Sequence, residues 1–332
     1  MGDLRDVFLS TLPRQSMLLV ARVILPVFGI IVLGYGLVAL RILPVRLARL
    51  ISDFVYWIAI PAILFRSMSV NGPHLGGRLD LLAAYYLGAT ILFVAGIVLA
   101  RRVWHYDLAE QGLVGFACCF GNTVQIGIPL ALAALGPEGL AGHTLIVAAH
   151  AIYLLTVATL VVEWGRSGGD ARVVRRVGAA LRAIALNPVI VSIALGLAWS
   201  EAGPTLPRAI ALPIDALAYI AGPAALFVAG AALTQFRIGS RLRESLILVA
   251  IKIVVLPALV WVLAAHVFAL SPMEIAVATI AAGLPTGNNV FILAQRYRLY
   301  EDVAASATII STAASAVTLS ILVALLAPGA GP

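Results

Sequence analysis

The sequence predicts an all-α polytopic membrane protein of ten transmembrane helices, arranged as a 5+5 inverted repeat in which the fourth and ninth helices are broken. Three observations predict it. Hydrophobic residues make up 62% of the chain and charged residues 11%, whereas a soluble domain carries roughly a quarter charged residues. Apolar stretches of about 20 residues, one bilayer crossing each, follow one another and leave no room for a soluble domain. Two of them, centred on Gly121-Asn-Thr-Val-Gln-Ile-Gly-Ile-Pro129 and Gly283-Leu-Pro-Thr-Gly-Asn-Asn-Val-Phe291, carry glycine, proline and amide side chains where a membrane helix is uniformly apolar.

Taken in order, the predicted segments are 17–40, 46–69, 80–101, 109–136, 141–164, 180–201, 209–235, 243–269, 273–298 and 302–326. Residues 1–16 precede them and lack the basic start, apolar centre and small-residue cleavage site of a signal peptide, so the first segment is expected to direct insertion. Residues 165–179 form a polar linker between a first repeat, 17–164, and a second, 180–326.

Arginines orient the chain. The connections after odd-numbered segments hold 15 of them: Arg41, Arg46, Arg49, Arg101, Arg102, Arg166, Arg172, Arg175, Arg176, Arg182, Arg237, Arg241, Arg243, Arg296 and Arg298. Those after even-numbered segments hold 3: Arg66, Arg78 and Arg208. The positive-inside rule makes the odd connections and the linker cytoplasmic and both termini external. The net charge of +7 is therefore a topology signal, and its dispersal between apolar runs argues against nucleic-acid binding. Cys118 and Cys119 stand together without a second pair, which supports neither a disulfide framework nor a metal site; no cofactor is expected.

The two halves repeat at an offset of 162 residues. Ile24-Leu-Pro-Val matches Leu186-Asn-Pro-Val, Leu33-Gly34 matches Leu195-Gly196, and Trp57-Ile-Ala-Ile-Pro-Ala-Ile-Leu-Phe65 matches Tyr219-Ile-Ala-Gly-Pro-Ala-Ala-Leu-Phe227. Five segments per half is an odd number, so the second half enters from the opposite side. An inverted repeat with a broken helix in each half is how secondary transporters build a substrate site at the membrane midplane.

Ser52-Asp-Phe-Val-Tyr-Trp-Ile-Ala-Ile-Pro-Ala-Ile-Leu-Phe65, the Gly121–Pro129 stretch, Asn187-Pro-Val-Ile190 and Leu284-Pro-Thr-Gly-Asn-Asn-Val-Phe-Ile-Leu-Ala-Gln-Arg-Tyr297 together resemble the auxin efflux carrier family, which includes the plant PIN carriers and bacterial members. The resemblance spans about residues 18–326. The short 165–179 linker departs from the long central loop of plant members and is similar to prokaryotic ones, which implies a cytoplasmic (inner) membrane location. It further implies a fold similar to bile-acid:sodium symporters and sodium/proton antiporters. Scaffold segments 1, 2, 6 and 7 (17–69, 180–235) would form a homodimer, and transport segments 3–5 and 8–10 (80–164, 243–326) would move as an elevator. The implied activity is alternating access for a small organic anion, a carboxylate or auxin-like acid. Coupling to H+ or Na+ stays open, as does a symporter of a bile-acid-like anion.

The residues supply candidates. Asn122, Gln125, Asn288 and Asn289 each offer donors and acceptors that can replace water around a carboxylate, and half-helix amino termini add positive dipole ends. Thr123 and Thr286 are placed to cap or bind. Gly121, Gly127, Pro129, Pro285 and Gly287 are expected to shape the break, because proline removes a backbone donor and glycine permits backbone that other residues resist. Lys252, the one lysine, lies about 13 Å along its helix from Arg243 at 1.5 Å per residue; it can attract the anion or snorkel to the cytoplasm. His150 is a packing residue or a proton relay. Rings of charge or a four-fold filter, as channels use, have no counterpart here, and neither do His-Glu-x-x-His or Gly-x-Ser-x-Gly, so no enzyme activity is expected.

Overall fold

The computed structural model describes residues 14–71, 79–167, 178, 186–203 and 205–327. Of the expected segments, the sixth is described only from residue 186, and the linker almost wholly lies outside the described residues. In chain order the helices are α1 (Arg14–Ala39), α2 (Val45–Val70), α3 (Leu79–Trp104), α4 (Leu108–Cys119), α5 (Thr123–Arg166), α6 (Pro188–Ala202), α7 (Arg208–Leu233), α8 (Leu242–Val267), α9 (Pro272–Gly283), α10 (Asn288–Tyr297) and α11 (Glu301–Leu326). Among the described residues, seven helices are long and apolar enough to cross a membrane, and α4, α6 and α9 are shorter apolar helices. This is a helical polytopic membrane protein.

Local chemistry explains the ends. Asp107 accepts the Glu110 N–H at the start of α4, Asn187 accepts the Val189 N–H with Pro188 in the first turn of α6, and Ser271 and Glu274 form a reciprocal capping box on α9. Each satisfies amides that a helix start leaves unpaired. The expected connection between the fourth and fifth segments contracts to one residue. Gly136 alone leaves helical backbone, at φ 70°, a conformation glycine adopts freely, and Pro137 restarts the helix. Uninterrupted, the 44 residues of α5 would be about 66 Å long, roughly twice a ~30 Å hydrocarbon core; Gly136 divides that length.

Three of the prolines inside helices, Pro61, Pro129 and Pro257, are accommodated by the same device. A wide π-type turn covers Val55–Ala59 ahead of Pro61, Thr123–Gly127 ahead of Pro129, and Ile251–Val255 ahead of Pro257. Each turn contains the residue four before its proline, whose carbonyl the missing N–H would have bonded.

Helices α1 and α7, and α2 and α6, pack backbone to backbone. A Cβ on Gly34 would fall 2.1 Å from the Phe227 carbonyl oxygen, and a Cβ on Gly196 would fall 2.7 Å from that of Phe65. Both glycines and both phenylalanines are pairs at the 162-residue offset. Arg66 and Asp215 form a half-exposed ion pair between α2 and α7. In the rest of the chain, α3–α5 and α8–α11 share one large apolar core, to which parts of α1 and α7 contribute. At one end of that core Glu244 accepts hydrogen bonds from Tyr106 (2.8 Å) and Tyr300 (2.9 Å), with Arg241 over the Tyr300 ring. Desolvation and the Glu244 carboxylate together hold the Tyr300 phenol well above its ordinary pKa.

Candidate substrate site at the crossing of two interrupted helices

Short extended pieces at 120–122, between α4 and α5, and at 284–287, between α9 and α10, pair with each other. Gly121 and Thr286 form an antiparallel bridge: the Asn122 N–H donates to the Pro285 carbonyl (2.8 Å) and the Gly287 N–H to that of Phe120 (3.0 Å). Pairing the breaks with each other satisfies backbone that a bilayer cannot. The N–H groups pointing away from the bridge are also met. Gly121 donates to His150 Nε2 (3.2 Å) and Thr286 to Ser311 Oγ (3.0 Å).

Glycines are needed where the pieces touch. A Cβ on Gly287 would sit 2.8 Å from the Phe120 ring and 2.9 Å from the Gly121 carbonyl oxygen, and one on Gly127 would sit 2.5 Å from His143 Nε2. That nitrogen lies 2.8 Å from the Thr123 carbonyl oxygen, to which it donates when protonated.

The amides of the two breaks converge. Asn122 Oδ1 caps the Gln125 N–H (3.2 Å), while Gln125 Oε1 receives the Nδ2 groups of Asn122 (3.3 Å) and Asn288 (3.1 Å). One glutamine thus ties the first break to the second. A cavity of about 440 Å³ opens on them, within the range of small-molecule sites. Asn122, Thr123, Gln125, Gly121, Gly287, Asn288 and Asn289 line it, together with His150, Phe120 and Phe291. Farther out lie Ser52 and Tyr56 of α2, Asn187 and Ile190 at the start of α6, Gln235 and Phe236 after α7, and Gln295 of α10. Amides near the crossing are half-buried and Gln235 and Gln295 are exposed, so the cavity widens toward the ends of α2, α7 and α10 that carry Arg49, Arg237 and Arg296. Arg49 itself borders an adjoining small pocket beside Ser52 and Gln235.

The other sequence candidates are not in the lining. Thr286 is buried, and its hydroxyl has no partner among the described residues. Pro129 and Pro285 lie behind the surface, Pro129 against Gly222 of α7. Lys252 is fully buried and therefore reaches neither the cavity nor a headgroup layer. Its ammonium donates to the Ala282 (2.7 Å) and Leu284 (2.6 Å) carbonyls, tying off the carboxyl end of α9. Sequence reasoning missed Ser52, Tyr56, Gln235, Gln295 and Ser311, single amides and hydroxyls of kinds that are ordinary within apolar helices and at their ends.

An apolar helical bundle with two paired interruptions facing one polar cavity is the build of a membrane transport protein. Residues 19–323 match the family described as Membrane transport protein, and the chain belongs to that family, the one containing the auxin efflux carriers. It is 30% identical over 313 residues, 93% of this chain and 96% of the relative, to a Rhizobium meliloti (strain 1021) protein named "Putative malonate transporter". Family and relative are transporters, not enzymes.

Proposed function

We propose that the protein is a secondary carrier that binds a small carboxylate at the crossing and exposes it alternately to the two sides of a prokaryotic cytoplasmic membrane. The observation that carries this reading is the neutral, amide-lined cavity formed where interruptions from both halves meet. Amides and half-helix amino termini together solvate an anion without burying a countercharge. The relative's name favours acids as small as malonate, and 440 Å³ accommodates them.

On this reading α4 with the first part of α5, and α9 with α10, are the two crossover helices of ten crossings in a 5+5 inverted repeat. The exchanged glycine contacts of Gly34 and Gly196 support the repeat, because equivalent residues make equivalent contacts. Helices α1, α2, α6 and α7 are then a scaffold, and the rest an elevator moving against it. Exposed apolar side chains on the scaffold, such as Leu25, Val32, Leu212 and Tyr219, suit lipid or a second copy in a homodimer. With the arginine-rich ends cytoplasmic and both termini outside, the cavity faces the cytoplasm.

Proteoliposomes loaded with unlabelled malonate test the proposal. Labelled malonate is expected to accumulate by counterflow, and Asn288→Ala to weaken it tenfold or more, since a hydrogen bond to a charged ligand contributes about 1.5–3 kcal/mol. Flux that rises linearly with concentration and shows no counterflow would reject a carrier.

A further inference from the structure

Resting on the carboxylate-carrier reading, we infer that this site takes the singly charged form of its acid, so that a dicarboxylate travels as the hydrogen-dicarboxylate and brings one proton with it. Two observations lead there. No Asp, Glu, Lys or Arg lines the cavity among the described residues, and the nearest buried cation, Lys252, spends two donors on the Ala282 and Leu284 carbonyls. Each further charge taken out of water adds its own desolvation cost and repels the first, so a dicarboxylate dianion pays more than about twice what a monoanion pays. Dipole ends and amides offset the smaller cost far more readily than the larger.

The second observation is the balance of donors and acceptors. Asn122, Gln125, Asn288 and Asn289 bring a carbonyl oxygen for every NH2 group, and Gln125 Oε1 already gathers two of the donors. A dianion only accepts, and its oxygens would face amide oxygens with no proton between them. A hydrogen-dicarboxylate presents one carboxylate to the N–H groups and one carboxylic O–H to an amide oxygen. The balance is complete: the monoanion crosses, and on release its second carboxyl ionises, delivering one proton and one dianion to the same side.

The titratable groups at the cavity are few. Among the described residues, Tyr56 of α2 and His150 of α5 line it, with none from α6, α7 or α10. His150 already accepts the Gly121 N–H and lies 3.4 Å from the Tyr85 hydroxyl of α3, with His143 of α5 and Lys252 of α8 near enough to act on its charge. Arg49 borders the adjoining pocket, at the mouth rather than at the amides.

Binding of malonate and of its monomethyl ester to the purified protein, measured by calorimetry at pH values spanning malonate's second ionisation, separates the possibilities. The ester carries one negative charge throughout. Malonate's apparent affinity is expected to fall about tenfold per pH unit above that ionisation, as linkage requires when only the protonated form binds, while the ester's stays level. In proteoliposomes holding a pH dye, malonate entry is expected to acidify the lumen by one proton per molecule, and ester entry by none. Malonate affinity that stays level or rises with the dianion fraction overturns the inference and leaves the carrier intact. A parallel fall for both acids places the titration in the protein and also overturns it. If neither acid binds at any pH, the carboxylate-carrier reading fails and takes this inference with it.

Discussion

The two interruptions meet at one bridge yet are held in different ways. The first is largely self-supporting: Asn122 caps the α5 start with its own side chain, and Gln125, three residues on, returns an oxygen to it. The second has Gly287 at the corresponding position, with no side chain to cap α10, and borrows from its neighbours. Lys252 of α8 holds the carbonyls at the end of α9, and Ser311 of α11 holds the Thr286 N–H. Both breaks offer amides to the cavity. The second is also tied from behind, which sets a self-capped arm against a braced arm at one crossing.

The largest effect expected is at the brace. Lys252→Met leaves two buried carbonyls unpaired at about 1–3 kcal/mol each, so the thermal midpoint in detergent should fall sharply and transport should be lost. Lys252→Arg has donors enough but a bulkier head beside Gly121, whose Cβ position is 3.4 Å from the ammonium, and should recover only part of the stability. Unchanged melting for the methionine variant would dissolve the distinction between the arms.

Next comes a matched pair. Ser311→Ala strands the Thr286 N–H in a dry interior, costing about 1–3 kcal/mol, whereas His150→Ala uncovers the Gly121 N–H beside a cavity where water can replace the ring. The serine variant should therefore melt lower although its side chain is smaller. The reverse order would show that the first break is the less self-supporting one.

Among the cavity amides, Asn122→Ala should cost about 0.5–2 kcal/mol of stability as a lost cap, in addition to weaker malonate binding. Asn288→Ala removes one hydrogen bond to Gln125, about 0.5–1.5 kcal/mol, and should show mainly the loss of affinity. Melting curves with and without malonate separate the two. Smallest of all, Arg66→Ala breaks a half-exposed ion pair and should shift the midpoint by no more than about 1 kcal/mol's worth.

Both breaks were legible in the sequence because proline, glycine and amides are costly in a bilayer and so stand out. The arginine asymmetry and the matches at an offset of 162 residues stood out for the same reason, each being a departure from monotonous apolar chain. Lys252 was conspicuous, but its role was not. Its partners are main-chain oxygens 30 and 32 residues away, and a backbone acceptor leaves no trace in residue type. The reach of α5 was also hidden: the expected four-residue connection at 137–140 is helix, and a single glycine does the work of the turn. Gln235 and Gln295 could not be told from ordinary helix-end amides until the fold brought them to one mouth.

The glycine contacts between α1 and α7, and between α2 and α6, bear on how the protein is made. Gly34 needs Phe227 and Gly196 needs Phe65, so each half holds one member of both contacts and neither half can finish its packing alone. During synthesis α1 and α2 must wait, with Gly34 and Phe65 not yet packed, until α6 and α7 arrive. Two separately expressed fragments divided within residues 165–179 would have the same complementary surfaces to find one another by, and their assembly into a working carrier would show that the covalent link is dispensable once both halves are in the membrane.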